Sequence, residues 1–409
     1  MRARHRAGIA LAVLATLAAA GALALAGCQA LGEHASGERL ARMEQSPEWH
    51  GDRFANPQAM WSDLHDALLR AFAGGPDTEP VAPVPVARTD PAALAVPPAS
   101  GLRVTWFGHS STLIEVDGMR LLVDPIWSDR AAPVEWAGPR RWYPPTIALA
   151  QLPPVDAVLI SHDHYDHLDY PTIVAMRAWR NLFVVPLGIG AHLARWGIPA
   201  DRIVELDWWQ STRVGALAVT LTPARHASGR IEPQSDLTLW GGFALVGARH
   251  RVYYSGDTGL SDAMTDIGQR LGPFDVALIE AGQYDADWPD WHLGPEQAVL
   301  AARRVRAQAM IPVHWGLFRL AHHGWTEPVE RVLVAARCAA LAVLTPRPGQ
   351  GIEPTALRPG DSERWWPTAR WATAAQKPIV ATTDGVTTHR VALPACAAGA
   401  NAAQSVSER

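Results

Sequence analysis

Apolar and polar positions alternate through "RVTWFGHSSTLIEVDGMRLLVD", residues 103–124, on either side of Asp117-Gly118. Period-two alternation around an Asp-Gly pair predicts a β-hairpin. Beyond it, short apolar runs predict strands over 155–160, 182–185, 217–222, 243–246, 252–255, 276–280 and 310–313. Helical spacing falls between them, over 170–179, 260–271, 295–306 and 327–339. A hairpin followed by alternating strands and helices predicts a layered α/β domain with mixed sheets over residues 101–350. Ahead of it, 29–73 has partial helical spacing and 74–100 carries seven prolines, so 28–100 reads as an N-terminal extension. After residue 350 the pattern weakens. Residues 351–409 read as a C-terminal extension ending in a disordered tail over 395–409.

The chain opens differently. Arg2, Arg4 and Arg6 precede an almost wholly apolar run over 8–26, which is the pattern of an export signal. The run closes on "LAGC", which resembles the lipobox of bacterial lipoproteins. Cleavage after residue 27 would leave Cys28 as a lipid-modified N-terminus on a membrane surface. The competing reading is an uncleaved helix of about 19 residues spanning a bilayer. Gln29 after the cysteine, by the same resemblance, favours an outer membrane facing the periplasm. Loss of the leader's three arginines moves the formal charge from −4 to −7, which argues against a nucleic-acid partner. Of three cysteines, Cys338 and Cys396 remain, and their spacing leaves pairing open. A metal in this chain therefore has to be held by histidine and carboxylate.

Such groups cluster where the strands end. His162, His164, Asp166 and His167 follow the strand at 155–160 in "SHDHYDH", His226 follows "LAVTLTPAR", Asp257 follows "VYYSG", and His314 follows "AMIPV". Strand-end loops converge on one edge of a sheet, which is where α/β folds gather ligands. In an extended loop His162 and His164 project to the same side and can share one ion. Asp166 and His167, at the start of the next helix, offer a second set. Imidazole and carboxylate suit zinc, with manganese or iron also compatible. Other histidines read as solvated: His34, His50 and His65 in the extension, His250 at a turn, and His322 and His323 on the surface.

These residues, with "TWFGHSSTLIEVDG", "GPRRWYPP", "DAVLISHDHYDHLDY", "ELDWWQ", "GDTG" and "IPVHWGLF", resemble the metallo-β-lactamase superfamily. Within it they are most similar to the N-acyl-phosphatidylethanolamine-hydrolysing phospholipase D branch. The resemblance implies an αββα sandwich with an N-terminal extension. It implies two zinc ions, one on His162, His164 and His226, the other on Asp166, His167 and His314, with Asp257 bridging, and it allows a homodimer. It also suggests a proton-donating role for His292, which precedes a Pro-Glu-x-Ala helix start. His109 and Asp124, at the ends of the hairpin strands, are expected to orient ligand histidines.

Two metals sharing a water can lower its pKa to roughly 7. The expected reaction is attack of the bridging hydroxide on a phosphodiester of N-acyl-phosphatidylethanolamine or a related phospholipid, with Asp166 orienting the nucleophile or accepting its proton. Arg140, Arg141, Trp142 and Tyr284 are expected substrate contacts. Eighteen tryptophans, among them Trp127, Trp136, Trp208, Trp209, Trp288, Trp291 and Trp315 near expected loops, suit an amphipathic substrate or simply fill a core. The alternatives are a zinc hydrolase of a lactone, thioester or β-lactam, since the same nucleophile attacks carbonyl carbon, and a non-catalytic envelope-binding lipoprotein.

Overall fold

The computed structural model describes residues 29–63, 77–230, 235–357 and 363–393. The leader, Cys28, His65 and the tail over 395–409 lie outside the described residues. Two short strands, β1 (Trp49–His50) and β2 (Arg53–Phe54), form a hairpin in the N-terminal extension. The body of the protein is a pair of seven-stranded sheets.

The first sheet contains β3 (Leu102–Gly108), β4 (Ser111–Val116), β5 (Met119–Val123), β6 (Ala157–Leu159), β7 (Leu182–Pro186), β8 (Ile203–Leu206) and, at its far edge, β16 (Gly351–Ile352), in the order β16-β3-β4-β5-β6-β7-β8. The second contains β9 (Ser211–Val214), β10 (Leu217–Thr222), β11 (Gly242–Val246), β12 (Arg251–Tyr254), β13 (Phe274–Glu280), β14 (Ala307–Val313) and β15 (Ala342–Val343), in the order β15-β14-β13-β12-β11-β10-β9. Both sheets are mixed. Each has antiparallel pairing in one half and parallel pairing, β5 through β8 and β12 through β15, in the other. The expected hairpin is β4–β5: Val116 faces Met119, and Asp117 and Gly118 both take positive φ, as a two-residue turn requires.

Side-chain alternation explains the layering. Leu121, Val123, Ala157 and Leu159 of the first sheet meet Val276, Leu278, Ile311 and Val313 of the second in one core between the sheets. Their neighbours point outward: Leu122 and Val158 pack with Ile173 and Leu193, and Ala277, Ile279 and Met310 with Ile267, Ala298 and Val332. Those outer residues belong to α3 (Tyr170–Ala175) and α4 (Ile189–Arg195) on one side, and to α5 (Ala263–Arg270), α6 (Pro295–Arg304) and α7 (Glu327–Ala339) on the other. The short helices α1 (Gly37–Met43) and α2 (Pro91–Ala95) lie in the extension. The result is the expected αββα sandwich. Strands covered on both faces need apolar residues at nearly every position, which is why they read as continuous runs.

Segments on both sides of residues 101–350 pack onto this body. Strand β16 lies beyond residue 350, and Trp365 stacks on Trp315 at 5.5 Å, which stacks on Trp106 at 5.4 Å. The N-terminal extension is tied on by Arg39 to Glu205 at 2.6 Å and by Phe54 N to Asp236 O at 2.8 Å. Arg225 joins all three parts: its guanidinium donates to Ala59 O and, at 2.8 Å, to Thr382 O, while pairing with Asp290 at 3.1 Å. Two-residue strands and isolated tryptophans carry no periodicity from which such packing could be read. Cys338 is disulfide-bonded. Among the described residues no helix is long and apolar enough to cross a membrane.

Candidate metal centre

The residues that end β3, β5, β6, β10, β12 and β14 converge at one edge of the sandwich. His109, Asp124 and His314 turn there in left-handed backbone conformations, with φ of 51°, 39° and 66°. For a non-glycine residue that conformation costs roughly 1–2 kcal/mol, and it is found preferentially where a side chain must be aimed. All three side chains are buried in the site.

The seven proposed ligands come together there. His162, His164 and His226 offer nitrogens within 4.8 Å of one another, and Asp166, with a carboxylate oxygen, groups likewise with nitrogens of His167, His314 and His109. Asp257 lies between the sets. Its Oδ2 is 3.0 Å from His314 Nε2, 3.1 Å from His167 Nε2, 3.8 Å from His162 Nε2 and 3.9 Å from His226 Nε2.

Outer partners decide which nitrogen each ring presents. His167 Nδ1 donates to Asp124 Oδ2 at 2.7 Å, and His226 Nδ1 to Trp291 O at 3.0 Å, so both direct Nε2 inward. Asp124 is itself held by Ser161 N at 2.8 Å, Ser161 Oγ at 2.5 Å and the Tyr254 hydroxyl. His109 Nε2 bonds Asp166 Oδ2 at 2.8 Å. The expected orienting residues thus stand directly behind the ligands.

The donor chemistry fits a metal. His167 Nε2 and Asp257 Oδ1 are buried and have no hydrogen-bond partner, as suits atoms whose partner is an ion. Burial holds His162, His164 and His226 below the ordinary imidazole range, so they are neutral and their lone pairs are available. At His167 and His314 burial acts in the same sense but is outweighed by carboxylates, Asp257 foremost, which raise both. Asp166 and Asp257 sit well below the usual carboxylate range: burial opposes this and is outweighed by the facing histidines, His167 first. Metal binding to such a set releases protons.

His292, half-buried, lies at the rim, its ring centroid 5.0 Å from that of His314 and its Nδ1 3.9 Å from Asp257 Oδ2. The expected substrate contacts fare differently. Arg140 is exposed and pairs with Asp129 at 3.1 Å. Arg141 is buried and its guanidinium is committed to the carbonyls of Tyr143 and Ser128, so it holds a loop and is not free for phosphate. Tyr284 is fully buried, bonded to Glu327 at 2.9 Å and stacked on His323. Trp142 is half-buried with its edge against Trp325. Trp208 and Trp315 are core residues, whereas Trp136 is 67% exposed. His250 and His323, expected on the surface, are buried on Asp117 and on Gln283 N.

Two residues at the site were not anticipated. Asn56 clasps the backbone of His226 from the N-terminal extension, donating to its carbonyl at 2.6 Å and accepting from its amide at 3.2 Å. Glu280, fully buried, ends β13 as the other site residues end their strands; that placement after "VALI" was the available signal.

A sandwich with a histidine–aspartate cage at one edge defines a metal-dependent hydrolase. A family model described as a beta-lactamase superfamily domain matches residues 119–315. An uncharacterized protein of Mycobacterium tuberculosis is 47% identical over 347 residues, 82% of this chain and 91% of its own. N-acyl-phosphatidylethanolamine-hydrolyzing phospholipase D 1 of Caenorhabditis elegans is 38% identical over 234 residues, 54% of this chain and 65% of its own. Among solved structures, Igni18, a metallo hydrolase of Ignicoccus hospitalis, is 25% identical with a TM-score of 0.49, covering 61% of this chain and 97% of its own. The chain belongs to the metallo-β-lactamase superfamily.

Proposed function

We propose that the protein is a dinuclear zinc phosphodiesterase that cleaves N-acyl-phosphatidylethanolamine or a related phospholipid, tethered through lipidated Cys28 to the periplasmic face of a bacterial outer membrane. The carrying observation is His292 at the rim of the cage, in a chain related to the worm phospholipase. His162, His164 and His226 would hold one ion, Asp166, His167 and His314 the other, and Asp257 both. Bound zinc would supply Lewis-acid charge and an acidified water for attack on phosphorus.

The protein's own groups handle the protons. Asp166 Oδ2 is engaged by His109, so Oδ1 is the oxygen on which Asp166 can hold a proton from the attacking water. His292 turns Nδ1 toward Glu280 at 3.2 Å, leaving Nε2 to protonate the departing alcohol oxygen. The products are phosphatidic acid and an N-acylethanolamine. Half-buried Trp127, Trp142, Trp209, Trp288 and Trp291, and exposed Trp136, offer amphipathic surface for a lipid.

The test is digestion of vesicles containing N-acyl-phosphatidylethanolamine, read by mass spectrometry with and without chelator, alongside metal analysis. Both products, chelator-sensitive, with about two metals per chain are expected. Turnover of nitrocefin or lactones without phospholipid cleavage would replace this reading with a carbonyl hydrolase.

A further inference from the structure

Glu280 is a buried carboxylate to which the reaction above assigns no step, yet it touches three loops of the site. Its Oε1 accepts from Thr258 N at 3.0 Å, next to the central Asp257, and from Leu293 N at 2.9 Å, next to His292. Its Oε2 lies 3.2 Å from His292 Nδ1 and 3.4 Å from His314 Nδ1. The Glu280 amide donates to Ser255 Oγ at 3.0 Å, which pins the end of β13 to the loop leaving β12. A carboxylate held this way presents only lone pairs at Oε2.

We propose that Glu280 is a positioning residue that fixes the tautomer and ring orientation of His292, holding the proton on Nδ1 so that Nε2 faces the reacting oxygen. The two amides on Oε1 prevent the carboxylate from rotating. Because Glu280 also abuts His314, the acid and one ligand imidazole are referenced to the same group. The claim about His292 as proton donor rests on the hydrolase reading; the claim about its tautomer does not.

Glu280→Gln makes the two separable. The amides of Thr258 and Leu293 hold the new side-chain oxygen at the Oε1 position, which places an NH2 group where Oε2 was. That group can only donate, so it favours the tautomer in which His292 Nδ1 accepts and the ring proton sits on Nε2. Long-range proton–nitrogen correlation spectra of zinc-loaded, 15N-histidine-labelled protein read this directly, with His292→Asn for assignment. The expected result is an Nδ1–H tautomer for His292 in the wild type and in Glu280→Asp, and Nε2–H in Glu280→Gln. His226, whose Nδ1 donates to Trp291 O, serves as the internal check and stays Nδ1–H throughout a folded series. An unchanged His292 tautomer in Glu280→Gln, with His226 unchanged, overturns the proposal.

Turnover supplies the second arm. Loss of a positioned general acid costs about 10²–10⁴-fold on a poor leaving group. Glu280→Gln is expected to lose at least 10²-fold on an alkyl phosphodiester and under threefold on a p-nitrophenyl one, with Glu280→Asp recovering part of the difference. Equal losses on both substrates overturn the role in proton delivery. A wild type inactive on both defeats the phosphodiesterase reading, while the spectra still decide the tautomer.

Discussion

Replacing Asp124 by asparagine is expected to weaken metal binding by about 10–100-fold, and the structure indicates why the loss falls on one bond. Asp124 receives four donors: Ser161 N on Oδ1, and His167 Nδ1, Ser161 Oγ and the Tyr254 hydroxyl on Oδ2. In Asp124→Asn the backbone amide of Ser161 keeps the side-chain oxygen in place, so the new NH2 points at the other three. The two hydroxyls can rotate and accept from it. His167 cannot do so without moving its proton from Nδ1 to Nε2, the very atom that faces the cage. One charge-assisted hydrogen bond, about 1.5–3 kcal/mol, is therefore set against metal ligation by His167. A 10–100-fold change in affinity corresponds to about 1.4–2.7 kcal/mol, in agreement. Competition for zinc against a chromophoric chelator measures the affinity, and thermal unfolding of chelator-treated protein separates it from misfolding. A folded Asp124→Asn protein that binds zinc within threefold of wild type would refute the orienting role.

Three further outcomes follow from features away from the cage. Burial pushes His323 down to about 4 from 6.5, while Nε2 accepts from Gln283 N and Nδ1 donates to Gly324 O. The unfolded chain takes the proton first as pH falls, so stability is full above pH 6.5 and declines toward pH 4, by at most about 3 kcal/mol. Urea midpoints at pH 7 and pH 5 should differ more in wild type than in His323→Gln; equal differences would contradict this. Arg331 is buried in bidentate contact with Glu296, at 2.7 and 2.9 Å, and 3.3 Å from Glu327. Arg331→Met leaves those carboxylates uncompensated and should lower unfolding free energy by about 3–5 kcal/mol; a change under 1 kcal/mol in urea titration would show that they find other partners. Cys28→Ser should abolish incorporation of labelled fatty acid into the protein, and labelling equal to wild type would exclude a lipid tether at Cys28.

The cage was legible because its residues interrupt apolar runs. A histidine or aspartate within three residues after "AVLI", "VYY" or "AMIPV" is a local break, and convergence of strand ends follows from the fold class. Glu280 gives the same break after "VALI", but it stands without a second ligand type beside it and passes as the polar end of a strand. Asn56 gives none: its partner is 170 residues away, and a polar residue in an extension has no local reason to be buried. Arg141 and Tyr284 are engaged elsewhere for the complementary reason. Residue type suggested phosphate and lipid, whereas burial, which single positions do not encode, committed them to carbonyls and to Glu327. The strands β15 and β16, two residues each, fall below the length at which alternation exists.

The Arg225 clamp sets an order on the birth of the site. Ala59, Asp290 and Thr382 are far apart along the chain, and Arg225, adjacent to ligand His226, is secured only when all three are present. They become available to fold in chain order, so a chain that ends before residue 382 already carries every one of the seven donors but lacks the last tie on the arm that bears His226. Donor inventory and a finished centre are therefore separate events in time, and metal acquisition by the nascent protein is expected to wait for its final segment.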